Sequence, residues 1–196
     1  MIAYRANILY TPTPERFVLL ERGYVLVRDD GNVIDTYASL PDEYADVELV
    51  DFGNQMLMPA MNHLHVHAPQ YRNLGIAMDM ELLPWLNTYT FPEEMKYSDV
   101  KYAERMYRRF VHDLWKLGTM RAAIFATIHP TASCLLADLL HEAHMGGMIG
   151  LVGMDRNSPA GLTNTVEQWK EGMDLLMTHT ASMPLISAIV TPRFVP

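Results

Sequence analysis

His65-Val66-His67 presents two imidazoles with a single residue between them. In an extended segment successive side chains point to opposite faces, so both rings project from the same face. Neutral imidazole is a common zinc ligand. Two rings at the end of a strand can converge on one ion, about 2 Å from each nitrogen. The chemistry on offer is therefore metal coordination. Two ordinary histidines near a surface turn would give the same short pattern, and the pair alone does not separate the readings.

The elements needed to hold such a pair are legible around it. Gln55 to Ala60 reads as a compact apolar strand leading into the histidines. The segment from Gln70 to Tyr97, rich in Pro, aromatic and Met residues, is too long for an idle connector. A helix is expected from Ser98, its N-cap, to Gly118, its stop. Val100, Ala103, Tyr107, Phe110, Val111, Leu114 and Leu117 recur on its apolar face. Met120 to Ile128 reads as a strand ending in His129-Pro130, and Ala132 to Ala143 as a helix closed by Gly146-Gly147. Met148 to Met154 is a strand ending in Asp155-Arg156-Asn157, Thr163 to Met177 a helix, and Pro184 to Val190 a strand ending in Thr191-Pro192-Arg193-Phe194. Alternating strands and helices predict parallel β/α units. Polar, chemically capable residues follow each strand, where parallel β/α folds gather their sites.

Ahead of these units, Ala6 to Tyr10, Phe17 to Leu20, Gly23 to Val27 and Val33 to Tyr37 read as short strands. Asp29-Asp30-Gly31-Asn32 forms a hairpin turn between the last two. The expected organisation is a small β domain over residues 1–55 and a β/α domain over residues 56–196. An eight-unit barrel takes about 250 residues, and four units are counted here. The expected fold class is thus α/β: a small β-sandwich-like unit followed by the first half of a barrel.

Composition narrows the function classes. With 49% hydrophobic residues, the 196-residue chain can bury a real core. A formal charge of -8 with no basic patch argues against nucleic acid and favours a small-molecule or protein partner. Cys134, the single cysteine, excludes an intramolecular disulfide and reads as a small buried hydrophobe, which fits a reducing cytoplasm. No signal-peptide profile opens the chain, and no uncharged apolar run approaches about 18 residues, so no membrane role is expected. The fifteen methionines are scattered and suit gap-filling in the core.

Met58-Pro59 leading into His65-Val66-His67, after a small β unit, resembles the metal-dependent amidohydrolase superfamily. Within it, three segments closely resemble the guanine deaminase family: His67-Ala68-Pro69-Gln70-Tyr71, the stretch from Leu82-Leu83-Pro84-Trp85 to Phe91-Pro92-Glu93-Glu94, and Thr191-Pro192-Arg193-Phe194. The resemblance covers the chain but only the amino-terminal half of such an enzyme. It implies an incomplete (β/α)8 barrel and conversion of guanine to xanthine and ammonia. It makes His65 and His67 ligands of one zinc ion, and Gln70, Trp85, Arg193 and Phe194 the purine-facing residues. Arg193, with its fixed fork of donors, suits the carbonyl oxygen that distinguishes guanine from adenine. Trp85 and Phe91 could wall the base or pack a lid.

The remaining zinc ligands and the proton-shuttling glutamate are implied in later strands, so no catalytic acid is assigned within this chain. The family carries Gly where this chain has Ala60, and a carboxylate where it has His63. Strand alternation puts His63 on the face of His65 and His67, where it is either a third imidazole on the ion or, as the favoured expectation, a neutral packing residue one layer deeper. Asp155-Arg156-Asn157 reads as a turn capping the next helix, and His129 as a strand-end structural residue. His112, His141, His144 and His179 have no site argument. Complete relatives are expected to be homodimers. The fourth strand, as a long apolar edge, is expected to promote association. Two other readings stay open: an amidohydrolase acting on another aminated heterocycle, and a non-catalytic half-barrel serving as a binding or assembly module.

Overall fold

The computed structural model describes residues 1–193; Phe194, expected beside the purine, lies outside the described residues. The chain divides into two compact units, Met1–Pro59 and Ala60–Pro196.

In the first unit, β1 (Ile2–Thr13), β2 (Arg16–Val27), β3 (Val33–Tyr37) and β4 (Glu48–Leu57) form one mixed sheet in the order β3-β2-β1-β4. β1 runs antiparallel to β2 and parallel to β4. The two strands expected at Phe17–Leu20 and Gly23–Val27 are one, bent at Arg22. That residue has φ 51°, and its amide donates to Asn7 Oδ1 at 3.0 Å. The turn at Asp29–Asn32 closes as expected: the Arg28 amide donates to the Asn32 carbonyl at 2.9 Å, and Gly31 takes φ 83°, a conformation glycine adopts without a Cβ clash. Residues 55–57 end β4 rather than begin the histidine strand, because Met56 and Leu57 pair with Asn7 and Ile8 of β1. The expectation of a strand at Gln55 to Ala60 is thereby corrected. The first unit also extends past residue 55, to Pro59.

The second unit is built on four parallel strands in the order β5-β6-β7-β9. These are β5 (Met61–His67), β6 (Thr119–Phe125), β7 (Gly146–Gly150) and β9 (Ile186–Ala188), with a separate parallel pair of β8 (Val152–Gly153) and β10 (Thr191–Pro192). Parallel neighbours require long crossovers, and helices supply them. After β5 come α1 (Leu82–Trp85), a π-turn over Leu86–Thr90, α2 (Phe91–Met95) and α3 (Val100–Lys116); α4 (Pro130–Glu142) and α5 (Val166–Thr180) follow.

Several boundaries differ from expectation: β6 ends at Phe125 rather than Ile128, the strand expected at Met148 to Met154 is β7 over Gly146–Gly150 with β8 separate, and α5 covers Val166–Thr180 rather than Thr163 to Met177. Other differences have local reasons. Asp99, not Ser98, caps α3, its side chain accepting from the Lys101 amide at 2.9 Å. Gly146-Gly147 do not close α4; they pair with Arg121 and Ala122 in the ladder, and the helix ends at Ala143 before His144 at φ 54°. The fourth strand is only three residues long. The Ile189 amide still reaches the Ile149 carbonyl at 3.0 Å, but the chain then turns to pair Thr191 and Pro192 with β8. The expected long apolar edge is correspondingly short.

The main core of this unit gathers Tyr107, Phe110, Ile124, Leu136, Leu140, Ile149 and Leu176 between the sheet and helices, and Cys134 is buried among them as expected. A second cluster joins Leu86 and Phe91 to Val152, Met154 and Leu162. It fastens the short helix α2 to the strand that receives β10. Among the described residues, no helix is long and apolar enough to cross a membrane.

Candidate functional site

β5 ends in the histidine pair. The two rings lie 5.2 Å apart between centroids, and both contact Phe125, the last residue of β6. His67 stacks on Phe125 at 4.5 Å and 15°, and His65 meets it at 5.0 Å. The contact follows from register, because His67 and Phe125 are ladder partners. His67 is the more enclosed ring: its Nδ1 is buried without a protein hydrogen-bond partner. Burial first, then the Arg193 guanidinium and the neighbouring His65, hold its pKa down to about 4. His67 is therefore neutral at physiological pH, the form that binds metal. His63 is exposed rather than packed in a deeper layer. It lines the same cavity as His65 and His67.

Next to this pair stands a buried carboxylate. Glu94, 3% exposed, accepts from Gln70 Nε2 at 2.9 Å and from Arg193 Nη1 at 3.0 Å on one oxygen, and from Arg193 Nη1 at 2.8 Å on the other. Three separate segments thus meet in one hydrogen-bonded group. Gln70 comes from the 3-10 turn Ala68–Asn73, anchored where Tyr71 donates to Asp113 Oδ2 of α3 at 2.5 Å. Glu94 comes from α2, whose Phe91 is buried in the second core cluster. Phe91 is thereby a packing residue.

Arg193 is set by the strap of β10. Thr191 Oγ1 donates to the Leu151 carbonyl at 3.0 Å, and the Arg193 amide donates to the Gly153 carbonyl at 2.9 Å. The strap requires glycine at 150, since a Cβ there would occupy the space of the Thr191 side chain. Gly150→Ala is expected to cost about 1–3 kcal/mol and to loosen the Arg193 strap. Urea unfolding, together with the backbone amide signals of residues 191–193, checks this.

A cavity of about 720 Å³ opens beside the group, lined among others by His63, His65, His67, Gln70, Leu74 and Trp85. That volume lies in the usual range of small-molecule sites. Trp85 is held by its Nε1, which donates to the Ile76 carbonyl at 2.9 Å. His129 is the N-cap residue of α4, with its pKa lowered by burial; β6 stops at Phe125, so His129 does not hold the strand-end place expected of it. Asp155 and Arg156 pair with each other at 2.6 and 2.9 Å and do not cap α5. Thr165 and Gln168 form that cap reciprocally, because the loop continues past Asn164, whose side chain accepts from the Met154 amide. Phe125 and Glu94 were not singled out in the sequence as members of this group. Glu94 carried one readable signal, as an acid next to Glu93 in an otherwise apolar, aromatic stretch. Phe125 carried none, since register is not legible.

Among the described residues, no group of three or more His, Cys, Asp or Glu side chains is placed to hold a metal. His65 and His67 fit as two ligands through chemistry and through the orphaned Nδ1, short of the three that a catalytic zinc takes.

The parallel β/α units, with paired imidazoles at the end of the first parallel strand, match amidohydrolase structures in fold. The chain superposes on an amidohydrolase from Brucella melitensis with a TM-score of 0.70, covering 98% of this chain and 46% of that one; at 15% identity the likeness is one of fold alone. The particular relatives are guanine deaminases, of which this chain is a homologue. It is 41% identical to the guanine deaminase of Dictyostelium discoideum over 152 residues, covering 76% of this chain and 33% of that protein. It also matches the crystal structure of guanine deaminase from C. acetobutylicum with bound guanine in the active site, with a TM-score of 0.94 and 40% identity, covering 99% of this chain and 46% of that one. The chain thus spans less than half the length of these relatives. No protein-family model matches the chain.

Proposed function

We propose that this chain carries the amino-terminal part of a guanine deaminase site, in the first four units of a (β/α)8 barrel preceded by a small sandwich-like β unit. The supporting observation is the Gln70–Glu94–Arg193 group set beside the enclosed His67. The reaction is hydrolytic: guanine and water give xanthine and ammonia. Gln70 and Arg193 meet the polar edge of the purine, and Trp85 offers an aromatic wall. His65 and His67 supply two ligands for zinc, which when bound acidifies a water into the neutral range and so provides a nucleophile. His67, already neutral, needs no deprotonation to serve. With two imidazoles only, the isolated chain is expected to hold less than one equivalent of zinc and to turn over no guanine. The described residues contain no third ligand, which favours a binding role over turnover for the chain on its own.

Titrating guanine into the isotopically labelled chain tests the reading. Shifts are expected at the side-chain signals of Gln70 and Arg193 and at the Trp85 indole. Shifts produced by cytosine or a triazine, with none from guanine, would favour an amidohydrolase for another heterocycle.

A further inference from the structure

We propose that Glu94 is a positioning residue that sets the donor and acceptor polarity of the purine site by fixing the Gln70 amide and the Arg193 guanidinium. The proposal rests on the guanine reading above. Its physical root is that an ionised carboxylate can only accept hydrogen bonds. The end of the Gln70 amide that faces Glu94 Oε1 at 2.9 Å must therefore be Nε2, and the carbonyl Oε1 is turned away from it. Gln70 lines the cavity shared with His65 and His67, so Glu94 dictates that this amide meets a ligand oxygen-first. The same carboxylate oxygen also accepts from Arg193 Nη1 at 3.0 Å, so the guanidinium stands beside the Gln70 amide.

The two neighbouring acids divide their contacts cleanly. Glu93, also buried, faces the other way, accepting from Lys96 Nζ at 2.6 Å and from the Tyr102 hydroxyl. Of the two, Glu94 is the one bonded to Gln70 and Arg193. Its helix and the Arg193 strap are anchored in the same packing, since Phe91 of α2 lies against the core of Val152 and Met154, and Arg193 bonds to Gly153.

An acceptor beside a cationic donor is complementary to a lactam edge, in which a ring N–H adjoins a carbonyl, as in guanine. The amidine edge of adenine places an amino donor where the carbonyl would be and meets the guanidinium with like polarity. Discrimination of this kind is strong when buried polar groups would be left unpaired by the wrong ligand. Glu94→Gln would supply an amide that can donate to Gln70. Gln70 could then turn its own NH2 toward the ligand, reversing the pattern.

The test compares the intact 196-residue chain with its Glu94→Gln, Glu94→Asp and Gln70→Met variants. The probes are guanine and adenine, and the backbone amide spectrum confirms that each variant is folded. The wild-type chain is expected to show slowly exchanging Gln70 side-chain amide protons and a restricted Arg193 guanidinium. In Glu94→Gln both signatures should be lost, and the preference for guanine over adenine should fall roughly tenfold or more, the worth of one charge-assisted hydrogen bond. Glu94→Asp, which keeps the carboxylate, should recover most of both. Gln70→Met, which leaves the buried ion pair in place, should lose the preference while remaining folded. Unchanged Gln70 and Arg193 signals in Glu94→Gln, or an aspartate variant that behaves like the glutamine one, would overturn the proposal. So would a Gln70→Met variant that retains the preference. If neither purine binds the wild-type chain while the signatures still depend on Glu94, the guanine reading falls and the positioning role is supported.

Discussion

Arg193→Ala is expected to destabilise the chain by about 3–5 kcal/mol, the usual consequence of removing one partner from a buried ion pair. Both members are well enclosed, with side chains 12% and 4% exposed, so water cannot replace the guanidinium at Glu94. Gln70 would remain on Glu94 Oε1, but a single neutral amide does not offset a buried negative charge. The complementary change, Glu94→Ala, removes the carboxylate paired with Arg193 and is also expected to be destabilising. Removing both together should cost less than the sum, because neither charge is then stranded. Urea unfolding of the two single variants and the double variant measures the coupling. Single variants within about 0.5 kcal/mol of wild type would show that the pair is solvated in solution.

Acid should weaken the fold through His67, with a sign opposite to that of a histidine held in an ion pair. Its folded pKa, near 4, lies below the unfolded value of 6.5, because burial, Arg193 and His65 all disfavour the imidazolium. Between those values the unfolded chain binds the extra proton and the folded chain does not. The contribution of the neutral ring is therefore complete above pH 6.5 and is lost as pH falls through 4. The span corresponds to about 3 kcal/mol at most, somewhat less with solvent reaching the partly covered ring. In His67→Gln the stability curve should flatten over this interval relative to wild type. Parallel curves for the two proteins, measured by urea midpoint in metal-free buffer, would rule out this ring as the source.

The legible part of the fold was the part that local pattern controls. The apolar face of α3, the turn at Gly31 and the alternation of strands with helices follow from short-range spacing, although Val100 and Leu117 at the ends of the expected face are exposed and Met106 joins its buried middle. Boundaries set by pairing were not legible. Met56 and Leu57 look like a run leading into the histidines, yet their ladder partners lie in β1, some fifty residues earlier. Gly146 and Gly147 look like a helix stop and serve as a strand, because glycine tolerates both places.

The site divides in the same way. The resemblance points to Gln70 and Arg193, the latter supported also by its fork of donors, and the structure brings them onto one oxygen. The oxygen itself belongs to Glu94, which sequence presented only as one of two acids in a long segment. Which of two adjacent carboxylates turns toward the site depends on helical phase in a helix of five residues, too short for periodicity to reveal.

The central claim is that these residues recognise and prepare guanine for hydrolysis. Its most direct test is ammonia release by this chain joined to the remaining sequence of the Dictyostelium discoideum relative, loaded with zinc and offered guanine, adenine and cytosine separately. The account predicts zinc-dependent ammonia release from guanine, abolished by chelation and by His65→Ala or His67→Ala. Release from adenine or cytosine with none from guanine, by a folded and zinc-loaded protein, would contradict it.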